Sequence, residues 1–181
     1  AEPHHALTFG QSIHDTLRHF HQLELKGFSP TQKDLLELYK QYFRTEGYDS
    51  PEHKQARYSQ GKKSLKDYFK VYKSKLGKPL HLERSFRLTI AGVPLIGKID
   101  RIDQTDEGFE IVDYKTGDAT KKDVNRDEQL TIYALGAKYS LNIEPQSLSL
   151  YFLESNEKLS TTRSETDLKN ALKHLEKTVE E

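Results

Sequence analysis

The sequence predicts an α/β fold, a mixed β-sheet core flanked by helices and preceded by a helical N-terminal region. Three observations predict it. Up to Leu76 the apolar residues recur at helical spacing. After Pro79 they alternate in short runs bounded by turn residues. The order is then helices, three strands, a helix, a strand and a helix, which suits helices layered on one sheet.

Taken in order, the first helix covers about residues 8–27 and places Phe9, Ile13, Leu17 and Phe20 on one face, with Gly27 as its stop. The second follows Pro30, capped by Thr31 with Asp34 three residues on, and turns Leu35, Leu38, Tyr42 and Phe43 inward. Ser50, Pro51 and Glu52 open the third, with Ser as cap and Pro at the first helical position. It runs toward Leu76 before Gly77 and Pro79 end it. Strands follow at 81–90, 94–103 and 109–116, divided by Ala91-Gly92 and by a four-residue loop from Thr105 to Gly108, as an antiparallel meander. A helix over about 127–139, a strand at 147–154, a short strand near Leu159 and a charged helix from Thr166 complete the chain.

At 181 residues we expect one domain in three parts: 1–79, mostly helical; 80–155, the sheet core; 156–181, a C-terminal strand and helix. The chain begins at Ala1 and holds no methionine, which points to a piece excised from something longer. Lys plus Arg and Asp plus Glu number 28 each, so any nucleic-acid binding has to use a local basic surface. The absence of cysteine excludes disulfides, thiolate zinc sites and cysteine-ligated iron–sulfur clusters. No run nears the ~18 apolar residues of a membrane span. Nor does a signal peptide open the chain, so a cytoplasmic protein with no membrane partner is expected.

The chemistry is carried by residues 97–117, GKIDRIDQTDEGFEIVDYKTG. A loop over 105–108 sets Gln104 opposite Phe109, Ile102 opposite Ile111 and Asp100 opposite Asp113. Directly opposed side chains lie about 5 Å apart on one sheet face, where two carboxylates repel unless a positive charge sits between them. Lys115, two residues beyond Asp113, joins that face. A hard divalent cation, Mg²⁺ or Mn²⁺, would supply the charge, since such ions take carboxylate oxygens and leave positions for water and phosphate. With a lysine beside it, that arrangement suits hydrolysis of a phosphodiester. The competing reading is a solvated charge cluster of Asp100, Asp113, Lys98 and Lys115 on an ordinary hairpin. Against it stands the apolar setting of IVDYK and LIGKID, where an ionised side chain needs a reason. If Ala91-Gly92 closes as a two-residue turn, Glu83 falls opposite Asp100; a one-residue slip caused by Pro94 would send it to the other face.

With these strands in hand, the chain resembles the RecB-like branch of the PD-(D/E)xK nuclease superfamily over about residues 9–153. Four motifs of that family occur in its order: Gly-x-x-x-His at Gly10 to His14, Gly-x-x-Asp-Arg-x-Asp at Gly97 to Asp103, Asp-Tyr-Lys-Thr-Gly at Asp113 to Gly117, and Gln-x-x-x-Tyr at Gln129 to Tyr133. The resemblance implies a restriction-endonuclease-like form of the fold and a deoxyribonuclease that uses Mg²⁺ or Mn²⁺. It implies His14, Asp100 and Asp113 as metal ligands together with the main-chain carbonyl of Tyr114. Lys115 would orient the attacking water, Gln129 and Tyr133 would line the site, and Glu83 matches a position often acidic in the family. Arg101 and Asp103 point away from Asp100 and take structural or salt-bridging roles. Taken singly, His14 reads as a surface or capping residue, Tyr133 as core and Gln129 as a solvent-facing helix residue.

The resemblance also implies a setting, the nuclease part of a helicase–nuclease in DNA repair or recombination, with the helicase motor in the same or a partner chain. The motor is not in these residues: GKKS at Gly61 to Ser64 lacks the ending and upstream glycine of a phosphate-binding loop. The iron–sulfur cluster of some relatives is excluded by the missing cysteines. For DNA, Arg57, Lys62, Lys63, Lys66, Lys70, Lys73, Lys75 and Lys78, interleaved with Tyr58, Tyr68, Phe69 and Tyr72, make a candidate single-strand track. At helical spacing those aromatics fit a core and the lysines a wet face. Lys121, Lys122 and Arg126 are better placed to meet a DNA backbone, and sequence-independent contact with single strands is expected. The rival readings are a non-catalytic nucleic-acid-binding or scaffolding module on the same fold, and a hydrolase of small phosphoesters.

Overall fold

The computed structural model describes residues 4–117, 119 and 123–181. The elements are α1 (His4–Leu25), α2 (Gln32–Tyr42), α3 (Pro51–Lys75), β1 (Lys78–Ile90), β2 (Val93–Thr105), β3 (Gly108–Lys115), α4 (Glu128–Tyr139), β4 (Pro145–Phe152), β5 (Glu157–Thr161) and α5 (Glu165–Glu180). A short 3₁₀ turn, Val124–Arg126, leads into α4. Contacts cluster into two compact units. One comprises Ala1–Leu76, Tyr114–Thr120 and Tyr151–Lys158; the other comprises Gly77–Asp113, Lys121–Leu150 and Leu159–Glu181. Among the described residues no helix is long and apolar enough to cross a membrane.

The first unit is the helical one. Phe9, Ile13, Leu17 and Phe20 of α1 are buried as the periodicity predicts. The predicted capping box of α2 is present: Asp34 N–H donates to Thr31 Oγ1 at 3.1 Å and Thr31 N–H to Asp34 Oδ2 at 2.8 Å. Its inward face differs from expectation. Leu35 and Tyr39 are buried, whereas Leu38, Tyr42 and Phe43 are half-buried. Tyr39 can go fully inside because its ring stacks on Tyr58 at 4.8 Å and its hydroxyl donates to Tyr58 O at 3.0 Å. In α3, Tyr68 and Tyr72 are buried against α1, where His21 Nε2 meets the Tyr68 hydroxyl at 2.6 Å and Tyr72 donates to Glu24 at 2.9 Å. These aromatics are core, so the proposed stacking track on α3 loses its central platforms, while Lys62, Lys63, Lys70 and Lys73 remain an exposed charged face.

The sheet has five strands in the order β1-β2-β3-β4-β5. Ile90 pairs with Val93, so Ala91-Gly92 is a two-residue turn, with both residues at positive φ of 48° and 81°. Pro94 causes no slip; the register shift lies instead between Pro79 and His81. The second turn corrects an expectation. Thr105 and Gly108 are themselves paired, which leaves Asp106-Glu107 as a two-residue turn in place of a four-residue loop. Thr105 Oγ1 donates to Gly108 O at 3.0 Å and accepts from Glu107 N–H at 3.2 Å, tightening it. The register is the predicted one, Gln104 with Phe109 and Ile102 with Ile111. Leu153 N–H donates to Lys115 O at 2.8 Å, joining the C-terminal ends of β3 and β4. Near the strands' starts Ser149 donates to Glu110 at 2.7 Å, so β3 and β4 run parallel and the sheet is mixed.

Candidate active site

The sheet unit holds the carboxylates. Arg101 pairs with Val112 and Ile102 with Ile111, and the next step of that register sets Asp100 opposite Asp113. Asp113 is 2% exposed and Asp100 half-buried. Glu83 and Asp100 are the intervening positions between the pairs Leu82 with Arg101 and Arg84 with Ile99. The backbone at Glu83 is left-handed, φ 48°, a strained conformation for a side chain of this size. Its carboxylate reaches Lys98 Nζ at 3.6 Å, a pair exposed enough to add little stability.

Arg101 and Asp103 alternate to the opposite face from Asp100, as expected. Both are fully buried, and Arg101 Nε donates to Asp103 Oδ1 at 2.6 Å and Nη2 to Gly77 O at 3.2 Å. Burial raises the Asp103 pKa, with the Arg101 guanidinium pulling the other way. Across the strands Asp103 pairs with Glu110, whose carboxylate accepts from Ser147 and Ser149.

Helix α4 brings Gln129 and Tyr133 into the same unit. Gln129 is exposed, yet its Nε2 donates to the Tyr133 hydroxyl at 2.9 Å across one helical turn. Tyr133 is buried, as a core residue would be, and burial pushes its hydroxyl pKa up. The negative charges of Asp113 and Asp100 push it further, which ties Tyr133 electrostatically to both carboxylates. The ring meets Phe86 edge-on at 6.0 Å. Phe86 in turn lies on Gly97 and Gly136: a Cβ at these positions would stand 2.4 Å and 2.3 Å from its ring. The motif glycine Gly97 is therefore a packing requirement for the ring that backs Tyr133.

The start of α4 is fixed by a residue the sequence analysis passed over. Arg163 donates to Thr131 Oγ1 at 2.9 Å, to Val124 O and Asp127 O at 3.1 Å each, to Thr162 O at 3.1 Å and to Thr161 Oγ1 at 3.2 Å. Asp127 caps the helix through Leu130 N–H at 2.8 Å. Nothing in the local pattern around Arg163 marks it, because the three partners through which it holds the start of α4 lie 32 to 39 residues away in the chain. Arg126 is exposed and pairs loosely with Asp123 at 3.7 Å. Lys121 and Lys122 lie outside the described residues.

The helical unit holds the rest. His14, half-buried on α1, sets Nε2 3.1 Å from the main-chain oxygen of Tyr114. Gly10, one turn earlier, lies beside Thr116. Tyr114 itself is buried, its ring edge-on to Tyr68 and Tyr151 at 6.5 and 6.4 Å. Lys115 is half-buried and its carbonyl is held by Leu153. Among the described residues, the one set of three His, Asp or Glu ligand atoms lying within 4.8 Å of one another is His5, Asp49 and His53. Sequence reading singled out none of these.

A family model described as the PD-(D/E)XK nuclease superfamily matches residues 1–181. No curated protein matches the chain. Among solved structures, the one described as "Crystal structure of SSO0001" is similar at 13% identity and a TM-score of 0.41, covering 95% of this chain and 74% of that one.

Proposed function

The chain belongs to the PD-(D/E)XK nuclease superfamily, and from that premise we propose that it is a metal-dependent deoxyribonuclease hydrolysing DNA phosphodiester bonds. The observations that carry the reading are the β2–β3 register, which carried one step beyond the pair Arg101 with Val112 sets Asp100 opposite Asp113, and the burial of Asp113. Like charges so placed repel, and a cation held between them relieves the repulsion. On the other face the Arg101 guanidinium meets the Asp103 carboxylate; between Asp100 and Asp113 we assign a bound divalent ion.

One donor pair has the spacing such an ion takes. Two oxygens or nitrogens held at right angles about 2.1 Å from an octahedral ion lie about 3.0 Å apart. His14 Nε2 and Tyr114 O are 3.1 Å apart. We assign Asp100, Asp113, His14 Nε2 and the Tyr114 carbonyl as ligands of Mg²⁺ or Mn²⁺, with Glu83 a further acidic contributor. When bound, the ion polarises the phosphate and makes a water acidic enough to attack at neutral pH. The chain's own groups do the rest. Lys115, on the Asp113 face of β3 by alternation, orients that water and offsets the charge developing on the phosphate. Tyr133, kept protonated by burial and by the two carboxylates, stays a hydrogen-bond donor; Gln129 holds its hydroxyl in place and faces solvent where substrate arrives. Lys121, Lys122 and Arg126 neutralise the DNA backbone without reading bases.

The fuller proposal is a sequence-independent nuclease acting on single strands or ends, working in the cytoplasm as the nuclease part of a helicase–nuclease in repair or recombination. A time course on end-labelled single- and double-stranded DNA with Mg²⁺, Mn²⁺ or EDTA tests it. Metal-dependent shortening, faster on single strands, is expected. Binding without cleavage in either metal would replace it with a non-catalytic module, and cleavage of model phosphoesters alone would replace it with a small-ester hydrolase.

A further inference from the structure

We propose that His5, Asp49 and His53 form a second metal site, for a zinc-class transition ion, separate from the carboxylate centre. His5 lies in the first turn of α1, Asp49 immediately precedes the α3 cap Ser50, and His53 lies in the first turn of α3. One ligand atom from each comes within 4.8 Å of the other two. The two imidazoles meet edge-on at 4.7 Å between centroids. His53 Nδ1 lies 3.7 Å from Asp49 Oδ2 and accepts the Asp49 N–H at 3.2 Å. His5 Nδ1 is shielded from water and has no hydrogen-bond partner among the described residues. A buried ring nitrogen without a partner is costly, and a metal bond is one of the few ways to satisfy it.

The donor set decides the kind of ion. Two imidazoles and one carboxylate match Zn²⁺, Co²⁺ or Ni²⁺, whereas Mg²⁺ takes oxygen ligands almost alone. Ligands about 2.1 Å from a tetrahedral ion lie about 3.4 Å apart, so the trio closes on an ion by side-chain rotation. Asp49, 80% exposed at its side chain, is free to make that rotation. A fourth position is left to water. The site is not an extension of the His14 ligand set: nine residues at 1.5 Å rise put His5 about 13 Å from His14 along α1 and on the opposite side of the helix. An ion here would clip the first turn of α1 to the first turn of α3 and so stabilise the helical unit.

The test uses the 181-residue chain stripped with EDTA and desalted. It is titrated with Co²⁺, followed by its visible ligand-field bands, and with Zn²⁺ by calorimetry, with circular dichroism as the check on folding. Compared are the wild type, His5→Gln, His53→Gln, and the double variant His14→Ala with Asp113→Ala. The wild type should give the intense bands of tetrahedral Co²⁺ at one equivalent. Each His→Gln variant should lose that equivalent and the double variant should keep it. The melting temperature of the wild type, and not of His5→Gln, should climb with the logarithm of free Zn²⁺. Should His53→Gln fail to fold, His5→Gln decides alone. Tetrahedral bands of equal intensity in the wild type and His5→Gln, or none in the wild type, would overturn the proposal.

Discussion

At the scale of single residues the account rests on charge. Asp113 is 2% exposed, and on the proposed function it shares its cation with Asp100, so neutralising either should relieve a like-charge repulsion when no metal is bound. Asp113→Asn should therefore melt at or above the wild type in EDTA. In millimolar Mn²⁺ the order should invert, because the wild type gains stability by binding and the variant does not. Melting curves in both buffers check this; a variant less stable than wild type in EDTA counts against it. Lys115→Ala should keep its fold and lose about 10²-fold or more in cleavage rate, the scale of one electrostatic stabiliser. Tyr133 makes a milder prediction. Burial, then the charges of Asp113 and Asp100, raise its hydroxyl pKa, so it does not ionise in the working range. Tyr133→Phe should cost about tenfold, one hydrogen bond's worth, and leave the alkaline side of the pH–rate profile unmoved. An alkaline limb that vanishes in the variant would contradict the assignment.

At the scale of elements, what was legible in the sequence follows what is local. Caps and turns carry their instructions within a few residues: Thr31 with Asp34, Ser50 with Pro51, and the Ala91-Gly92 turn all form where the residue types place them. The β2–β3 register was legible because a tight turn propagates it along both strands, whether four or two residues are counted in the loop. Arg163, the bed of glycines under Phe86 and the His5 trio were not, since each depends on elements distant in the chain. Packing and capping each carry a prediction at this scale. Gly136→Ala drives a Cβ to within 2.3 Å of Phe86, and overpacking of this kind costs about 1–3 kcal/mol; chemical denaturation measures it. The capping carboxylates Asp34 and Asp167 have pKa values lowered first by the backbone N–H and then by the hydroxyl they engage. A depressed pKa means stability present above the unfolded value, about 3.9, and lost as pH falls through the folded one. Helicity of the wild type should thus drop below about pH 4, and the double variant Asp34→Asn with Asp167→Asn should lack that component of the drop.

At the scale of the whole molecule, a chain with 28 cations and 28 anions has no global field to gather DNA, so the proposed function requires local groups for binding. The α/β class and the mixed sheet could be read from the switch in periodicity after Pro79, and the superfamily, though not its RecB-like branch, from four motifs in order. What sequence order could not give is burial. The spacing of the α3 aromatics favours core over a stacking track, and Tyr68 and Tyr72 are indeed packed against His21 and Phe20. The central claim is that an opposed carboxylate pair serves a bound cation and, through it, phosphodiester hydrolysis. Cleavage of end-labelled single-stranded DNA in Mn²⁺ by Asp113→Ala, beside wild type of matched circular dichroism, tests it most directly. Loss of cleavage with the fold intact is the predicted result; cleavage at the wild-type rate would contradict the account.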